Sequence, residues 1–496
     1  MLKFGHMEIR TRMAPSPTGE YHIGHIRTLL YNYAYAKKNM GKFILRIEDT
    51  DRERYVEGAV DRILDIINDY GFSWDEGPRV GGPHIPYVQS ERLDSYKKYA
   101  EDLVRKGLAY YCFCSSERLE NLREEQRKKG LTSTKYDRYC LSLSPEEIEK
   151  NIKENKKYVI RLKVPENKDI IFTDAVLGEV KINTNDIDDQ VLLKSDGFPT
   201  YHLAVVIDDH EMEITHVMRG IDWLPSTPKH VLLYDAFGWN TPVYVHLPNL
   251  KELGGNKKLS KRYGSVAAID FLKEGYLTEA LVNFIMFLGW NPGGEKEIYS
   301  LDDFINEFSL ERIHKTDLVA FDRQKLLWMN GYYIRNLDDL GIYNRLRKWA
   351  EKFNISLNMA DRSDDYNIKV ISLVKDRMKL LSDFSNLTGY FYKWDIVPKE
   401  RVSEYTKDET KALEILVNFH ERYLNIKEGE WVKDRIDEIN HEIIKDKGYS
   451  PKEAFMTMRI VLTSSSATPS LVDITELLGK KEVLLRLERE IKSISI

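Results

Sequence analysis

Two histidines three residues apart, His22 and His25, close the stretch APSPTGEYHIGH at residues 14–25. On a helix that spacing sets both imidazoles on one face, where they can donate hydrogen bonds to oxygens that gain charge in a reaction. Pro15 and Pro17 hold the preceding backbone extended, Gly19 allows a turn, and a helix is expected from about His22 through IRTLLYNYAYAKK. The first amides of such a helix lack internal partners and sit at the positive end of its dipole, which suits them to phosphate. Gly24 lets a flat ligand approach the backbone closely. Taken alone, the stretch reads equally as a proline-rich loop capping an ordinary helix.

A second group narrows that choice. GGNKKLSKRYGS (254–265) places Lys257, Lys258, Lys261 and Arg262 in a glycine-flanked loop. A multiply positive loop can close over a triphosphate and stabilise departing pyrophosphate, although a bare charge run is more often a solvated surface. A third group is thiol chemistry. CFC supplies Cys112 and Cys114, and YDRYC supplies Tyr136 and Cys140. Three thiolates are strong zinc ligands and a phenolate can close a fourth position, whereas the competing reading is three simply buried cysteines.

These groups need elements to hold them. FILRIEDTD (43–51) reads as a strand and YVEGAVDRILDIINDYG (55–71) as a helix, and such alternation suggests a parallel α/β sheet. YVIRLKV (158–164) is strand-like, and PTYHLAVVIDDHEMEITHVMRG (199–220) reads as two strand-like segments before the helical PKHVLLYDAFG. Beyond about residue 265 the chain reads as almost entirely helical, as in LTEALVNFIMFLGW and VISLVKDRMKLLSDF. The 496 residues carry a net charge of −5, which disfavours a uniformly basic nucleic-acid binder but leaves room for a basic stripe. No run of apolar residues is long enough for a membrane span, the first residues lack a signal-peptide core, and three cysteines are too few for a disulfide framework. A cytoplasmic protein with no membrane partner is expected.

Together the motifs identify a resemblance. HIGH (22–25) and KLSK (258–261) look like the two signatures of class I aminoacyl-tRNA synthetases. The wider RMAPSPTGEYHIGHIRTLLYNYA, FILRIEDTDRERY, SDGFPTYHLAVVIDDHEMEITHVMRG and KKLSKRYG are similar to the bacterial-type glutamyl-tRNA synthetases. The likeness reaches the tail segment ATPSLVDITELLGKKEVLLRLER. It implies an α/β fold: a Rossmann-type parallel-sheet catalytic domain with an α+β insertion, then an all-helical anticodon-binding region. The expected divisions are 1–111 and 197–255 for the two catalytic halves and 112–196 for an acceptor-binding insertion with the possible zinc site. A stem-contact region with the lysine loop is expected at 256–335 and the helical anticodon-binding region at 336–496.

The resemblance also implies roles. His22, His25, Lys258 and Lys261 would be catalytic, and Ser16, Gly24, Asp222, Leu250 and Arg262 would join them around ATP. Glutamate has two carboxylates and one ammonium, so its pocket needs two bases and an acid. Arg12 and Arg219 match the carboxylate-binding arginines, Glu48 would hold the ammonium, and Ala14, Ser16, Tyr201 and Val205 would line the same pocket. Arg219 would read the side-chain carboxylate. Three positions depart from common family members: Val205 stands where some carry asparagine, and Ile221 and Trp223 where many carry an acid and a histidine. Arg377 matches an arginine that reads the last anticodon base in discriminating relatives. The implied reaction uses ATP, Mg2+ and L-glutamate to charge tRNA(Glu), with a structural zinc on Cys112, Cys114, Tyr136 and Cys140, in a monomer. Alternatives are an enzyme that also charges tRNA(Gln), a small-molecule nucleotidyltransferase, and an RNA-binding module with a decayed active site.

Overall fold

A computed structural model describes residues 8–131, 134–255, 258–259 and 266–495. The chain divides into two compact units, Met1–Phe271 with Leu281–Asp322, and Leu272–Ala280 with Arg323–Ile496.

In the first unit, β1 (Arg10–Met13), β2 (Lys42–Leu45), β3 (Ala109–Cys112), β4 (Val159–Leu162), β5 (Asp169–Asp174), β6 (Gly178–Asn183), β7 (Val191–Leu193), β8 (His216–Gly220), β9 (Val243–Leu247), β10 (Asn249–Glu252) and β11 (Leu318–Phe321) form three sheets. The largest runs in the order β2-β1-β8-β9-β5-β6 and is parallel except at the β5–β6 hairpin. The inner strands β1 and β8 and the edge strand β2 are short and buried: residues 10–13 are all buried, as are Val217–Met218 and Phe43–Leu45. Such strands read as continuous apolar runs rather than alternating ones. β1 connects to β2 on one side and lies beside β8 on the other, so the order reverses at β1. A crevice at the carboxyl ends of β1 and β8 is where an open parallel sheet takes its ligands. A separate antiparallel sheet, β3-β4-β7, lies in 109–193, while the β5–β6 hairpin from the same stretch joins the large sheet by pairing Asp174 with Tyr244.

Two expectations about elements are corrected. The first strand-like segment of 199–220 is a helix, Tyr201–Glu211, and only its second part forms β8. Every residue from Leu203 to Asp209 is buried, so the segment lacks the polar stripe by which a helix is recognised. VISLVKDRMKLLSDF is not one helix: Asp364–Val374 stops, a 3₁₀ turn covers Lys375–Arg377, and Asp383–Tyr392 begins again. The break is capped by Asp383, whose Oδ2 accepts from the amides of Lys379 at 2.8 Å and Leu380 at 2.9 Å. β11 is a strand beyond residue 265, paired in parallel with β10.

The second unit is helical in every element among its described residues. Its core gathers Leu346, Phe384, Phe391, Leu416, Phe419, Tyr423, Ile460 and Leu487, all wholly buried. Among the described residues no helix is long and apolar enough to cross a membrane.

Candidate active site

The helix Ile23–Lys38 starts with His22 as its N-cap, in extended backbone and without a side-chain cap. The His22 side chain therefore covers none of the first amides, of which His25 N–H donates to His22 O at 2.8 Å. A Cβ on Gly24 would lie 3.0 Å from the His22 ring and 3.8 Å from Leu250 Cδ1, so only glycine leaves this surface open. The His22 and His25 rings stack with centroids 3.6 Å apart. Burial, with help from Lys258, pushes His22 down to about 4, and burial with His22 and Lys258 pushes His25 down to about 3. Both are neutral donors at physiological pH, and the buried His25 Nδ1 has no hydrogen-bond partner among the described residues.

The lysine loop is anchored at both described ends. Leu259 N–H donates to Leu250 O at 2.7 Å, and beyond the loop Ile23 N–H donates to Val266 O at 2.9 Å. Lys258 Nζ pairs with Asp222 Oδ2, whose other oxygen accepts from Asn249 Nδ2 at 2.6 Å. Thus Lys258, Leu250, Asp222 and Gly24, four of the candidate ATP-binding residues, come together. Lys257, Lys261 and Arg262 lie outside the described residues.

The second half of the crevice is a buried set of charges. Arg12, on β1, donates through Nε to Asp209 Oδ1 at 3.1 Å, and Arg46 Nη1 reaches the same oxygen at 2.8 Å. Arg46 Nη2 holds Glu48 Oε1 at 2.9 Å. Burial lifts the Glu48 carboxyl above its ordinary value against the pull of Arg46 and Arg12. Glu48 follows the end of β2, with its amide on Pro15 O at 2.9 Å, next to Ala14 and the exposed Ser16. Tyr201 and Val205 lie one turn apart on the helix that carries Asp209. Arg219, at the end of β8, donates from Nη1 to the Tyr201 hydroxyl at 3.2 Å. The Trp223 ring lies tilted against Tyr201 with centroids 4.4 Å apart, at a position where the resemblance implied a histidine. Three buried arginines, Arg12, Arg46 and Arg219, and two buried carboxylates, Glu48 and Asp209, thus line the carboxyl-end side of the sheet.

A family model for the catalytic domain of "tRNA synthetases class I (E and Q)" matches residues 8–328, and one for an "Anticodon binding domain" matches 341–491. The glutamate–tRNA ligase of Alkaliphilus metalliredigens is 43% identical over 493 residues, covering 97% of this chain and 98% of that one. That of Clostridioides difficile is 44% identical over 495 residues, covering 97% and 98%. The chain belongs to the glutamate–tRNA ligase family. Among solved structures, a glutamate–tRNA ligase from Elizabethkingia meningosepticum, in complex with its amino acid, is similar with a TM-score of 0.88 at 36% identity, over 98% of this chain and 100% of that one. The glutamate–tRNA synthetase of Elizabethkingia anophelis gives 0.86 at 36% identity, over 98% and 100%. As a glutamate–tRNA ligase, the chain is a class I aminoacyl-tRNA synthetase with a Rossmann-type catalytic unit and a helical anticodon-binding region.

Away from the crevice of this ligase, the three thiols converge. The Sγ atoms of Cys112, Cys114 and Cys140 all lie within 4.8 Å of one another. The Tyr136 hydroxyl stands 3.4 Å from Cys112 Sγ and 3.2 Å from Cys114 Sγ, so all four sequence candidates meet. The Cys112 thiol is drawn below its ordinary value, first by Cys140 and, against burial, by Tyr136 and Arg161. Arg118 Nη1 approaches Cys114 Sγ at 3.5 Å, and the Phe113 amide donates to Cys140 Sγ at 3.4 Å. A cluster of soft donors surrounded by cations and amides fits a thiophilic metal ion. In the second unit Arg377 is exposed in its 3₁₀ turn, and burial with the nearby Arg377 lowers the Arg459 guanidinium.

Several site residues escape a reading from sequence. Asp209 and Arg46 brace Arg12 and Glu48, and Asp208 is held by Arg92 at 2.8 Å, Gln89 at 2.8 Å and Tyr96 at 2.9 Å. The only local signal is the acidic pair in LAVVIDDH: two carboxylates inside an apolar run must be paired to be buried.

Proposed function

We propose that the chain activates L-glutamate with ATP and passes the glutamyl group to the 3′ end of tRNA(Glu). The observation that carries this reading is the complementarity of Arg12, Arg219 and Glu48 to a ligand with two carboxylates and one ammonium. The α-carboxylate oxygen attacks the α-phosphorus, the bond to pyrophosphate breaks, and a ribose hydroxyl of the tRNA then displaces AMP from the carbonyl carbon. No side chain becomes covalently attached. His22, His25, Lys258 and Lys261 favour charge that develops on the phosphates, while Leu250, Gly24 and Asp222 receive the nucleoside, with Arg262 read as a further ATP-binding residue. Mg2+ enters with the triphosphate as part of the substrate.

The stretch 112–196 is read as the acceptor-binding insertion, stiffened by a zinc ion on Cys112, Cys114, Cys140 and Tyr136. That ion would contribute folding energy rather than chemistry. The other divisions, 1–111 with 197–255, 256–335 and 336–496, are read as catalytic halves, stem-contact region and anticodon-binding region. The same reading takes the chain to be a cytoplasmic monomer. Aminoacylation with labelled glutamate, glutamine and aspartate on tRNA(Glu) and tRNA(Gln) tests it. Charging of tRNA(Glu) by glutamate alone is expected; no tRNA-linked label from any of the three would overturn it.

A further inference from the structure

Arg219 is buried, yet its guanidinium meets only neutral acceptors among the described residues. Nε donates to His246 Nε2 at 3.2 Å, Nη1 to the Tyr201 hydroxyl and to His230 Nδ1 at 3.2 Å each, and Nη2 to Thr227 Oγ1 at 2.8 Å and Trp223 O at 3.5 Å. Arg12 differs, since Asp209 offsets its charge directly. A buried cation without a counter-ion is costly until an anion arrives, and a carboxylate outcompetes a neutral acceptor for a guanidinium. Such an arginine favours glutamate over the neutral amide of glutamine.

The orientation of that fork is set from behind. An arginine Nε–H can only donate, so His246 must present a lone pair at Nε2 and carry its proton on Nδ1. Asp174 receives that proton's hydrogen bond: Nδ1 lies 2.7 Å from Asp174 Oδ2, with both side chains fully buried. Asp174 is an acceptor on every side, taking the His246 amide at 3.1 Å on Oδ2 and the amides of Val176 and Leu177 at 2.9 Å each on Oδ1. It belongs to β5, beside β9, which carries His246. Burial, opposed by Asp174 and assisted by Arg219, holds His246 below its usual value and keeps it neutral. The imidazole spacer matters, because a carboxylate placed directly on Arg219 would cancel the charge the substrate needs.

We infer that Asp174 and His246 are positioning residues for amino-acid selection: Asp174 locks the His246 tautomer, and His246 aims the Arg219 fork at the substrate's side-chain carboxylate. This rests on the assignment of Arg219 to that carboxylate. Asp174→Asn is nearly isosteric but wrong on one side whichever way the amide turns. It must either face the Val176 and Leu177 amides with its NH2 or donate to His246 and drive the imidazole proton onto Nε2, against Arg219.

The test is tRNA-dependent ATP–pyrophosphate exchange with glutamate and with glutamine. Asp174→Asn is expected to raise KM for glutamate about tenfold or more and to narrow the glutamate preference, with KM for ATP unchanged. His246→Leu, which removes the acceptor and keeps bulk, should do the same, and it carries the test if Asp174→Asn does not fold. His246→Gln, whose side-chain oxygen can accept from Nε without any tautomer, should raise KM less than His246→Leu. Adding Asp174→Asn to His246→Gln should cost less than Asp174→Asn costs the parent, since the aspartate acts through the imidazole. Parental KM and glutamate preference in His246→Leu, or equal costs of Asp174→Asn in both backgrounds, would overturn the inference. Absence of glutamate-dependent exchange by the unaltered protein would instead overturn the assignment beneath it.

Discussion

Arg12 Nε lies 3.1 Å from Asp209 Oδ1, an oxygen that Arg46 Nη1 also reaches at 2.8 Å. One carboxylate therefore holds two buried guanidinia, one of which, Arg12, is the candidate for binding the amino acid. Burial alone would raise the Asp209 carboxyl, but Arg12 and Arg46 hold it below the ordinary value. A depressed folded-state value contributes stability above the unfolded value, and that contribution is lost as pH falls through the folded one. Asp209→Asn strands the Arg12 charge, while Arg46 keeps Glu48 at 2.9 Å, and is expected to cost on the order of 3–5 kcal/mol. Urea denaturation at neutral pH reads this directly; a midpoint equal to the parent's would mean that the pair is not maintained in solution.

The histidines predict a second pH effect at higher pH. His22, His202 and His216 are each pushed down to about 4, chiefly by burial, and His25 to about 3. Unfolded histidine titrates near about 6.5, so below that pH the unfolded chain binds more protons and the folded state loses ground. Thermal midpoints are expected to fall steadily from about pH 6.5 towards about pH 4, before most carboxylates titrate. Titration of the His22 and His25 imidazole resonances checks the cause: midpoints near the ordinary histidine value would contradict it.

The candidate phosphate end was legible because its parts fall in two short local motifs. His22, Gly24 and His25 share one turn, and Lys258 lies within the glycine-flanked segment. The amino-acid pocket was legible only in part. Arg12 and Asp209 are 197 residues apart, and Asp174 and His246 are 72 apart, so nothing local ties each pair together. The helix Tyr201–Glu211 was hidden for a related reason. Burial on all sides erases the periodicity that distinguishes a helix from a strand, and Val205, Val206 and Ile207 then argue for the wrong one. The thiol cluster lies between these cases, since three cysteines drawn from 29 residues of chain can be paired on chemistry alone.

The thiol cluster makes a prediction about metal content. With the Sγ atoms of Cys112, Cys114 and Cys140 within 4.8 Å of one another, protein purified without chelators or added metal is expected to hold about one equivalent of zinc. Cys114→Ala should lose that zinc and lower thermal stability, while Tyr136→Phe should retain more of it, because a water molecule can replace the phenol oxygen but not a thiolate. Elemental analysis of the three proteins decides the matter. Less than about a tenth of an equivalent in the parent, with all three thiols freely titratable in the folded state, would exclude the ion.

The family resemblance makes Arg377 the candidate for selection among tRNAs. Its guanidinium is exposed on the 3₁₀ turn between two helices, and it lies close enough to Arg459 to lower that neighbour's basicity. Arg459 is tethered by backbone oxygens, with Nη1 3.2 Å from Thr468 O and 2.6 Å from Pro469 O, which leaves Arg377 as the freer of two adjacent cations. A planar donor fork presented on a short, capped turn suits the edge of a single base better than a diffuse phosphate contact. The unaltered protein is therefore expected to charge tRNA(Glu) and to refuse tRNA(Gln). Arg377→Gln should narrow the ratio of kcat/KM for the two by about tenfold or more, with glutamate KM unchanged, because the change lies in RNA recognition alone. Steady-state aminoacylation of both tRNAs measures it. Robust glutamylation of tRNA(Gln) by the unaltered protein, or an unchanged ratio in Arg377→Gln, would show that discrimination is not built on this arginine.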